Sequence, residues 1–206
     1  MKRRKNNLDI QNKIAILENY PDISEKQFKI FKEDIKNLNF SSNTFYKMLL
    51  IDFSIDEAIF NEKLHSYYYT LLQKDHQLIK LMVLDYLFVM NSFFNTDEAI
   101  IELKKVLKTK YVRNIVKNQI YINLIFFKHK KNKNFQKIVE ALISNLKKTI
   151  NYRSHIRVYN YIIDYELYQI IRKEDVKKMI EISEKKELGK AVESSINKLY
   201  TILNIE

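Results

Sequence analysis

The chain has 206 residues, of which 46% are apolar and 30% charged, and its net charge is +11. This apolar fraction can form a sizeable core, which excludes a chain that is disordered by composition. The absence of cysteine excludes disulfides, catalytic thiolates and cysteine-based zinc sites, and it fits a reducing, cytoplasmic location.

The low content of glycine and proline, one residue of each, leaves little material for hairpin turns. Helices joined by short polar connections are therefore expected. The basic residues 2–5 are followed by polar residues and not by an apolar segment, so no signal peptide is expected. The longest apolar stretch, residues 81–90, is interrupted by Asp85 and is far shorter than the roughly 20 residues of a membrane span. It predicts a buried helix and no membrane partner.

Helical spacing of apolar residues begins soon after Pro21 and continues almost to the end of the chain. Ser54 and Glu57 match a capping box, which predicts a helix over residues 54–73. Asp75 and the pair Thr96 and Asp97 are expected to cap the next two helices. Further helix starts are predicted near Lys110, Asn132, Ser154, Glu174 and Glu187.

Taken in pairs, these starts recur about every 36–42 residues, the period of helix-turn-helix solenoids. The fold class predicted is all-α, a TPR-like right-handed solenoid of antiparallel helix pairs, with an irregular helical bundle as the alternative. A helix over residues 187–203 would place an apolar stripe on one face, as a dimer seam or as the cap of the solenoid. The stripe consists of Leu188, Val192, Ile196, Leu199 and Leu203.

Catalytic and metal sites are not expected in this chain. The four histidines lack the i, i+4 spacing of helical metal ligands, and the single glycine excludes phosphate-binding loops that need several. Adjacent carboxylates such as Asp56 and Glu57 fit the first turn of a helix, where they complement the helix dipole. The prediction is a protein that is not an enzyme and has no catalytic residues, cofactor or metal.

Positive charge is concentrated in residues 103–157, which contain fifteen lysines and arginines and a single acid, Glu140. Several of these residues recur four positions apart, so they lie on one helix side and repel one another unless solvated or neutralised by an anion. The pairs are Lys104 and Lys108, Arg113 and Lys117, Lys133 and Lys137, and Arg153 and Arg157. The block is interpreted as a surface for an anionic partner or as a solvated outer face.

A candidate peptide-binding face follows from two sets of residues with helical spacing. Arginine can hold a carboxylate with two hydrogen bonds, tyrosine adds contact surface, and asparagine can bond a peptide backbone in both directions. A groove for a short peptide with a free C-terminus is the prediction, and ordinary helix packing is the alternative. The residues are Arg153, Arg157, Tyr161 and Tyr165, with Asn114, Asn118 and Tyr121 on an earlier helix.

Two stretches of the chain carry a family pattern. In the longer stretch, residues 90–94, 96–98, 120–127, 134–135 and 187–189 fall in the family's order; in the shorter stretch, Ser24, Gln27 and Phe31 match part of a helix-turn-helix. With these residues the chain resembles the Rgg/MutR family of bacterial transcriptional regulators. In that family the phenylalanine is followed by glutamate, arginine and glycine. Here Phe31 is followed by Lys32, Glu33 and Asp34, so the arginine and glycine are missing and the helix-turn-helix is degenerate.

The resemblance implies a DNA-binding segment over residues 1–60 and a helical-repeat domain over residues 61–206. The latter would bind a short signalling peptide and form a homodimer, and the peptide would alter binding to promoter DNA. The candidate DNA contacts are Arg3, Arg4, Lys26, Gln27 and Lys29, of which the basic side chains could reach phosphates. Two alternatives stay open: a protein-interaction module without DNA binding, and a non-specific nucleic-acid binder that uses the basic block.

Overall fold

The computed structural model describes residues 2–128 and 134–204, with the side chains described from residue 9 onward. These residues form eleven α-helices, two short 3-10 helices (Asn91–Phe93 and Leu167–Gln169) and no β-strand, so the all-α prediction is confirmed. The helices are α1 (Lys2–Leu17), α2 (Glu25–Lys36), α3 (Thr44–Asp56), α4 (Glu62–Lys74), α5 (Gln77–Val89), α6 (Thr96–Leu107), α7 (Asn114–Lys128), α8 (Phe135–Lys148), α9 (Tyr152–Asp164), α10 (Lys173–Glu184) and α11 (Lys190–Leu203).

The chain divides into two compact units, Met1–Asn95 and Thr96–Glu206. The boundary predicted near residue 60 lies inside the first unit, between α3 and α4. None of the described helices is both long and apolar enough to cross a lipid bilayer. The apolar stretch over residues 81–90 lies mostly in α5, whose side chains are largely buried, as expected.

The first unit is organised around α3, which packs against α1, α2 and α5, while α4 packs against α5. Its core is aromatic: the ring of Phe53 lies 5.2 Å from that of Tyr20 and 5.9 Å from that of Phe31. A polar cluster joins three helices, because Lys13 of α1 and Tyr46 of α3 both donate to Asp34 of α2. Burial of apolar rings and this shared carboxylate together set the arrangement of α1 to α3.

The predicted helix over residues 54–73 is wrong. Ser54 is buried in the last turn of α3, where its hydroxyl donates to the carbonyl of Ile51 and contacts the hydroxyl of Tyr68. The next helix begins only at Glu62, with Asn61 as its N-cap. The capping-box letters therefore occur inside a helix, where the serine bonds a carbonyl of the preceding turn.

Asp75 is also placed differently from the prediction. It follows α4 as that helix's C-cap, while His76 caps α5 by accepting from the N–H of Leu78. The carboxylate of Asp75 accepts from the N–H of His76 and pairs with Lys47. This residue thus joins the end of α4 to α3.

In the second unit, α7 packs against α9, α8 against α10, and α9 against α11. The consecutive helices α6 and α7, α7 and α8, and α10 and α11 also pack against each other. Asn118 near the start of α7 bonds Ser154 near the start of α9 and Asn145 near the end of α8. Lys186, just after α10, donates to the carbonyl of Lys147 at the end of α8, so successive helices alternate in direction and the unit has two distinct ends. The starts of α7, α9 and α11 and the ends of α6, α8 and α10 belong to one end. The solenoid itself stays a prediction.

Several predicted helix starts in this unit are shifted. The helix expected near Lys110 begins at Asn114, and the one expected at Ser154 begins at Tyr152 with Asn151 as N-cap. The start expected near Asn132 lies outside the described residues. The starts expected at Thr96 and Glu174 are within one residue of α6 and α10.

The last helix begins at Lys190 and not at Glu187. Glu187 and Gly189 have φ angles of 48° and 92°, and such left-handed backbone conformations cannot continue a helix. Val192, Ile196 and Leu199 of the predicted stripe are buried where α11 packs against α9 and α10. The stripe therefore packs within its own unit and is not available as a dimer seam.

Candidate nucleic-acid interface

The first turns of α7 and α9 and the last turns of α8 are held together by a buried amide. Asn118 of α7, which is 1% exposed, donates to the hydroxyl of Ser154 in α9 at 2.8 Å. Its side-chain oxygen accepts from Asn145 of α8 at 2.6 Å, and the same Asn145 amide donates to the carbonyl of Asn114 at 3.2 Å. Because buried polar groups are costly unless they are bonded, this network specifies which helix ends meet.

A second network fixes the turn between α8 and α9. The carbonyl of Thr149 accepts from the Nε2 of buried His155 at 2.9 Å and from the Nζ of Lys186 at 3.0 Å. The hydroxyl of Thr149 donates back to the carbonyl of Asn145 at 2.7 Å. Burial lowers the pKa of His155, so the ring is neutral and its Nδ1 accepts from Ser183.

These two networks bring the turn that precedes α7 and the turn that precedes α9 to one end of the second unit. We call this surface the basic end; it comprises the turn over residues 108–113 and the segment over residues 147–153. Both segments lack acidic residues. Its basic side chains, all exposed, are Lys108, Lys110, Arg113, Lys147, Lys148 and Arg153.

Helix dipoles act differently on these charges. Lys147 and Lys148 lie in the last turn of α8, where cations complement the dipole. Arg113 immediately precedes α7 and Arg153 lies in the first turn of α9, where the dipole is itself positive and no acidic residue is present. The positive dipole ends of α7 and α9 and the negative dipole ends of α6 and α8 meet at this surface and offset one another, so its positive potential comes from the basic side chains. The neighbouring turn after α10, residues 185–189, adds two lysines and one glutamate, a net charge of +1.

The basic end also exposes apolar surface. Tyr111 is 79% exposed, Ile150 is 83% exposed and Tyr152 is 44% exposed. The ammonium of Lys110 lies 5.8 Å from the ring centre of Tyr111, and the guanidinium of Arg153 lies at the same distance from that of Tyr152. Basic side chains interleaved with exposed aromatic rings are typical of nucleic-acid interfaces.

The predicted peptide-binding residues are only partly brought together. Along α9, the guanidinium of Arg157 lies 5.6 Å from the ring centre of Tyr161, whose ring lies 5.2 Å from that of Tyr165. The guanidinium of Arg157 is held in place by the buried Gln119, whose side-chain oxygen accepts from its Nε at 2.7 Å. Arg153 lies at the basic end, fully exposed, with its Nε bonded to the hydroxyl of Tyr152.

The residues predicted on α7 have mainly packing roles. Asn118 is buried and both ends of its amide are bonded, so it cannot line a groove and is removed from the candidate set. Asn114 is half-buried and its carbonyl accepts from Asn145. Tyr121 is half-buried, and burial raises the pKa of its hydroxyl.

The predicted DNA contacts on α2 differ in their surroundings. Ser24 and Gln27 form a reciprocal capping box at the start of α2, so the amide of Gln27 has a structural role. Lys29 pairs with Glu25 at 2.7 Å, and Lys26 is exposed. The side chains of Arg3 and Arg4 lie outside the described residues. The link between α2 and α3 comprises residues 37–43. It is longer than the turn of about three to four residues that is usual in a helix-turn-helix.

The described histidines have structural surroundings. His65 is enclosed by aromatic rings, His76 caps α5, and His155 bonds Thr149 and Ser183. His129 lies outside the described residues. Among the described residues no group of three or more histidine, cysteine, aspartate or glutamate side chains could hold a metal ion.

Tyr111, Ile150 and Tyr152 were missed by the sequence reasoning. The signal that could have found them is the position of Tyr111 and Tyr152 beside Lys110 and Arg153, each in a segment between two helical patterns. No protein-family model matches the chain, and neither the curated proteins nor the solved structures include a significant match to it.

Proposed function

We propose that the protein is a non-catalytic regulatory binding protein, and that the basic end of its second unit binds the phosphate backbone of a nucleic acid. The observation that carries this proposal is the convergence of six exposed basic side chains, without an acid in either segment, at one end of the unit. Lysine and arginine that neutralise phosphates release condensed counterions, which is the main driving force of such binding.

The packing of the second unit supports this role. In a helical repeat of TPR type, each helix packs against the helix two positions later in the chain. Here α7 packs against α9 and α8 packs against α10. Such repeats present their turns in a row, which would account for two basic turns at one end of the unit. The transcription-regulator role implied by the likeness to Rgg/MutR proteins, with promoter DNA as partner and a homodimer as the active form, is part of the same proposal.

The test is a salt series of binding to DNA from the gene's own upstream region and to scrambled DNA of equal length. If all six basic residues contact phosphates, the slope of log K against log salt is expected to be about −5.4 for duplex DNA and about −4.2 for a single strand. The variant Lys147→Gln/Lys148→Gln should reduce this slope by about 1.5 to 2. Preference for the upstream DNA would favour a promoter-specific regulator.

The matched control is Lys177→Gln/Lys198→Gln, which removes two exposed lysines of the same unit outside the basic end. It lowers the net charge equally and should leave the slope unchanged. Equal slopes for the two variants would contradict the basic end as the binding surface. Affinity that is independent of salt would contradict nucleic-acid binding altogether.

A second candidate function, peptide binding along α9, is favoured by the row formed by Arg157, Tyr161 and Tyr165. Gln119 holds the guanidinium of Arg157 in place, which lowers the entropy cost of binding a carboxylate. Short apolar peptides should bind better with a free C-terminus than with an amidated one, and Arg157→Gln should abolish this difference. Calorimetric titration of both peptide forms distinguishes this function from phosphate binding, because capture in an apolar groove depends only weakly on salt.

A further inference from the structure

The two turns of the basic end present aromatic rings to solvent. Tyr111 and Tyr152 are 79% and 44% exposed, and neither ring contacts another aromatic ring among the described residues. Ile150, between the last turn of α8 and Tyr152, is 83% exposed. Phosphate binding alone would need only the basic residues, so the apolar groups call for a partner that also offers apolar surface.

The exposure of these side chains follows from how firmly their turns are anchored. Val112 is buried, which holds the turn between α6 and α7 and directs its neighbour Tyr111 outward. Thr149 is buried, and its carbonyl accepts from both His155 and Lys186. Asn151 then caps α9 by accepting from the N–H of Arg153 at 2.9 Å. Groups presented on anchored turns lose less conformational freedom on binding than groups on a frayed segment.

Each ring is also combined with a cation. Lys110 lies near the ring of Tyr111, and Arg153 is positioned beside Tyr152 by a 3.2 Å hydrogen bond from its Nε to the tyrosine hydroxyl. A base that stacks on such a ring places its own phosphate near the cation. Each pair therefore offers both interactions that one nucleotide needs, stacking and charge neutralisation.

We infer that the nucleic acid bound at the basic end is single-stranded, with unpaired bases stacked on Tyr111 and Tyr152. The inference rests on the proposed function. In a duplex the bases are already stacked and paired, so rings presented on a protein's surface turns reach only the backbone. Unpaired bases expose their faces, and every base has one, so stacking favours single strands with little sequence preference.

The experiment uses the whole 206-residue chain and fluorescently labelled 20-mers over a series of salt concentrations: oligothymidine, oligouridine, a DNA duplex and an abasic strand that keeps the phosphates. Oligothymidine and oligouridine should both bind more tightly than the duplex and the abasic strand. Tyr111→Ala and Tyr152→Ala should each weaken binding of the single strands by roughly 5-fold or more, without changing the salt slope. A difference between the two single strands would identify DNA or RNA as the preferred source of unpaired bases.

Two control variants separate stacking from other effects. Tyr111→Phe/Tyr152→Phe keeps the rings and should retain single-strand affinity. Phe45→Ala removes a ring of α3 that is 44% exposed, as Tyr152 is, and should change nothing. Circular dichroism establishes that each variant is folded.

The outcomes separate the inference from the proposed function. Salt-dependent binding that is equal on single strand, duplex and abasic strand, or unaffected by the alanine variants, overturns the single-strand inference and leaves phosphate binding in place. The absence of salt-dependent binding to any of the four probes removes both.

Discussion

At the scale of single residues, buried polar side chains fix the ends of the helices through hydrogen bonds. Lys80 of α5 is almost fully buried, and its ammonium donates to the carbonyls of Leu72 and Gln73 at 2.7 and 2.8 Å. These carbonyls belong to the last turn of α4 and would otherwise lack partners. The ammonium therefore caps the helix and is attracted by the negative end of its dipole. Burial lowers the pKa of Lys80. Such residues hold helix ends in place, as Asn118 does in the second unit.

His65 makes the first unit sensitive to acid. It is 6% exposed, its ring centre lies 4.3 Å from that of Phe94, and its Nδ1 has no hydrogen-bond partner among the described residues. Burial lowers its pKa from 6.5 to about 4, so the folded state holds the neutral ring. The unfolded chain takes up a proton at higher pH than the folded one does. Stability is therefore complete above about pH 6.5 and is lost as the pH falls toward 4.

We predict that lowering the pH from 7.5 to 5 reduces the free energy of unfolding by about 2 kcal/mol through His65 alone, because the unfolded chain protonates this ring and the folded chain does not. The variant His65→Phe keeps an aromatic ring in the site but cannot be protonated, so its stability should fall less over this range. Urea unfolding at the two pH values, followed by circular dichroism, measures the difference. If the wild type and the variant lose equal stability, the ring of His65 is not kept neutral by burial.

The helices owe their positions to caps and to one apolar face each. The capping box of Ser24 and Gln27 begins α2, and its apolar face buries Phe31 and Ile35. A capping serine, threonine, asparagine or aspartate is worth about 1 kcal/mol. At the end of the chain, Gly189 precedes α11 with a φ of 92°, which changes the chain direction before the last helix. Local sequence thus decides where these helices begin, while burial decides which face turns inward.

For α11 we predict a structural role within one chain. Leu199→Ala removes a fully buried side chain and should reduce the free energy of unfolding by about 2 to 5 kcal/mol. Ile202→Ala, on the more exposed side of the same helix, should cost far less. Thermal or urea unfolding gives the stability, and light scattering gives the mass. A change of mass in Leu199→Ala without a loss of stability would contradict packing within the chain and indicate a dimer seam.

At the scale of the whole molecule, each of the two units has a core of its own. The first is rich in buried aromatic rings such as Tyr46, Phe53 and Tyr68, and the second consists mainly of aliphatic layers with a polar seam through α7. All residues of the basic end lie in the second unit. The proposed assignment of nucleic-acid binding to the second unit can therefore be tested by separating the units.

We predict that residues 96–206, expressed alone, fold and bind nucleic acid with the salt slope of the full chain. Residues 1–95 should fold without comparable affinity, since they lack the basic end. Circular dichroism establishes folding, and fluorescence anisotropy gives the affinity. If residues 96–206 are folded but bind much more weakly than the full chain, the first unit supplies essential contacts, as a DNA-binding segment would.

The all-α class and most helices could be predicted from the sequence, because apolar spacing and the shortage of glycine and proline are local properties. The basic character of residues 103–157 was equally visible. Exact helix limits could not be predicted, since Ser54 and Glu57 have the letters of a cap but lie at the end of a helix. Local letters are ambiguous whenever burial against another helix changes which hydrogen bond a side chain makes.

The candidate site was decided by tertiary structure. Asn118 and Arg157 have the spacing of groove residues, but the first is bonded inside the unit and the second rests on Gln119. Tyr111 and Tyr152 are 41 positions apart, and only the packing of α7 with α8 and α9 brings their turns to one end. The sequence by itself determined helical character and charge, which depend on neighbouring residues. Which side chains are buried and which meet depends on contacts between distant residues, and only the folded chain decides these.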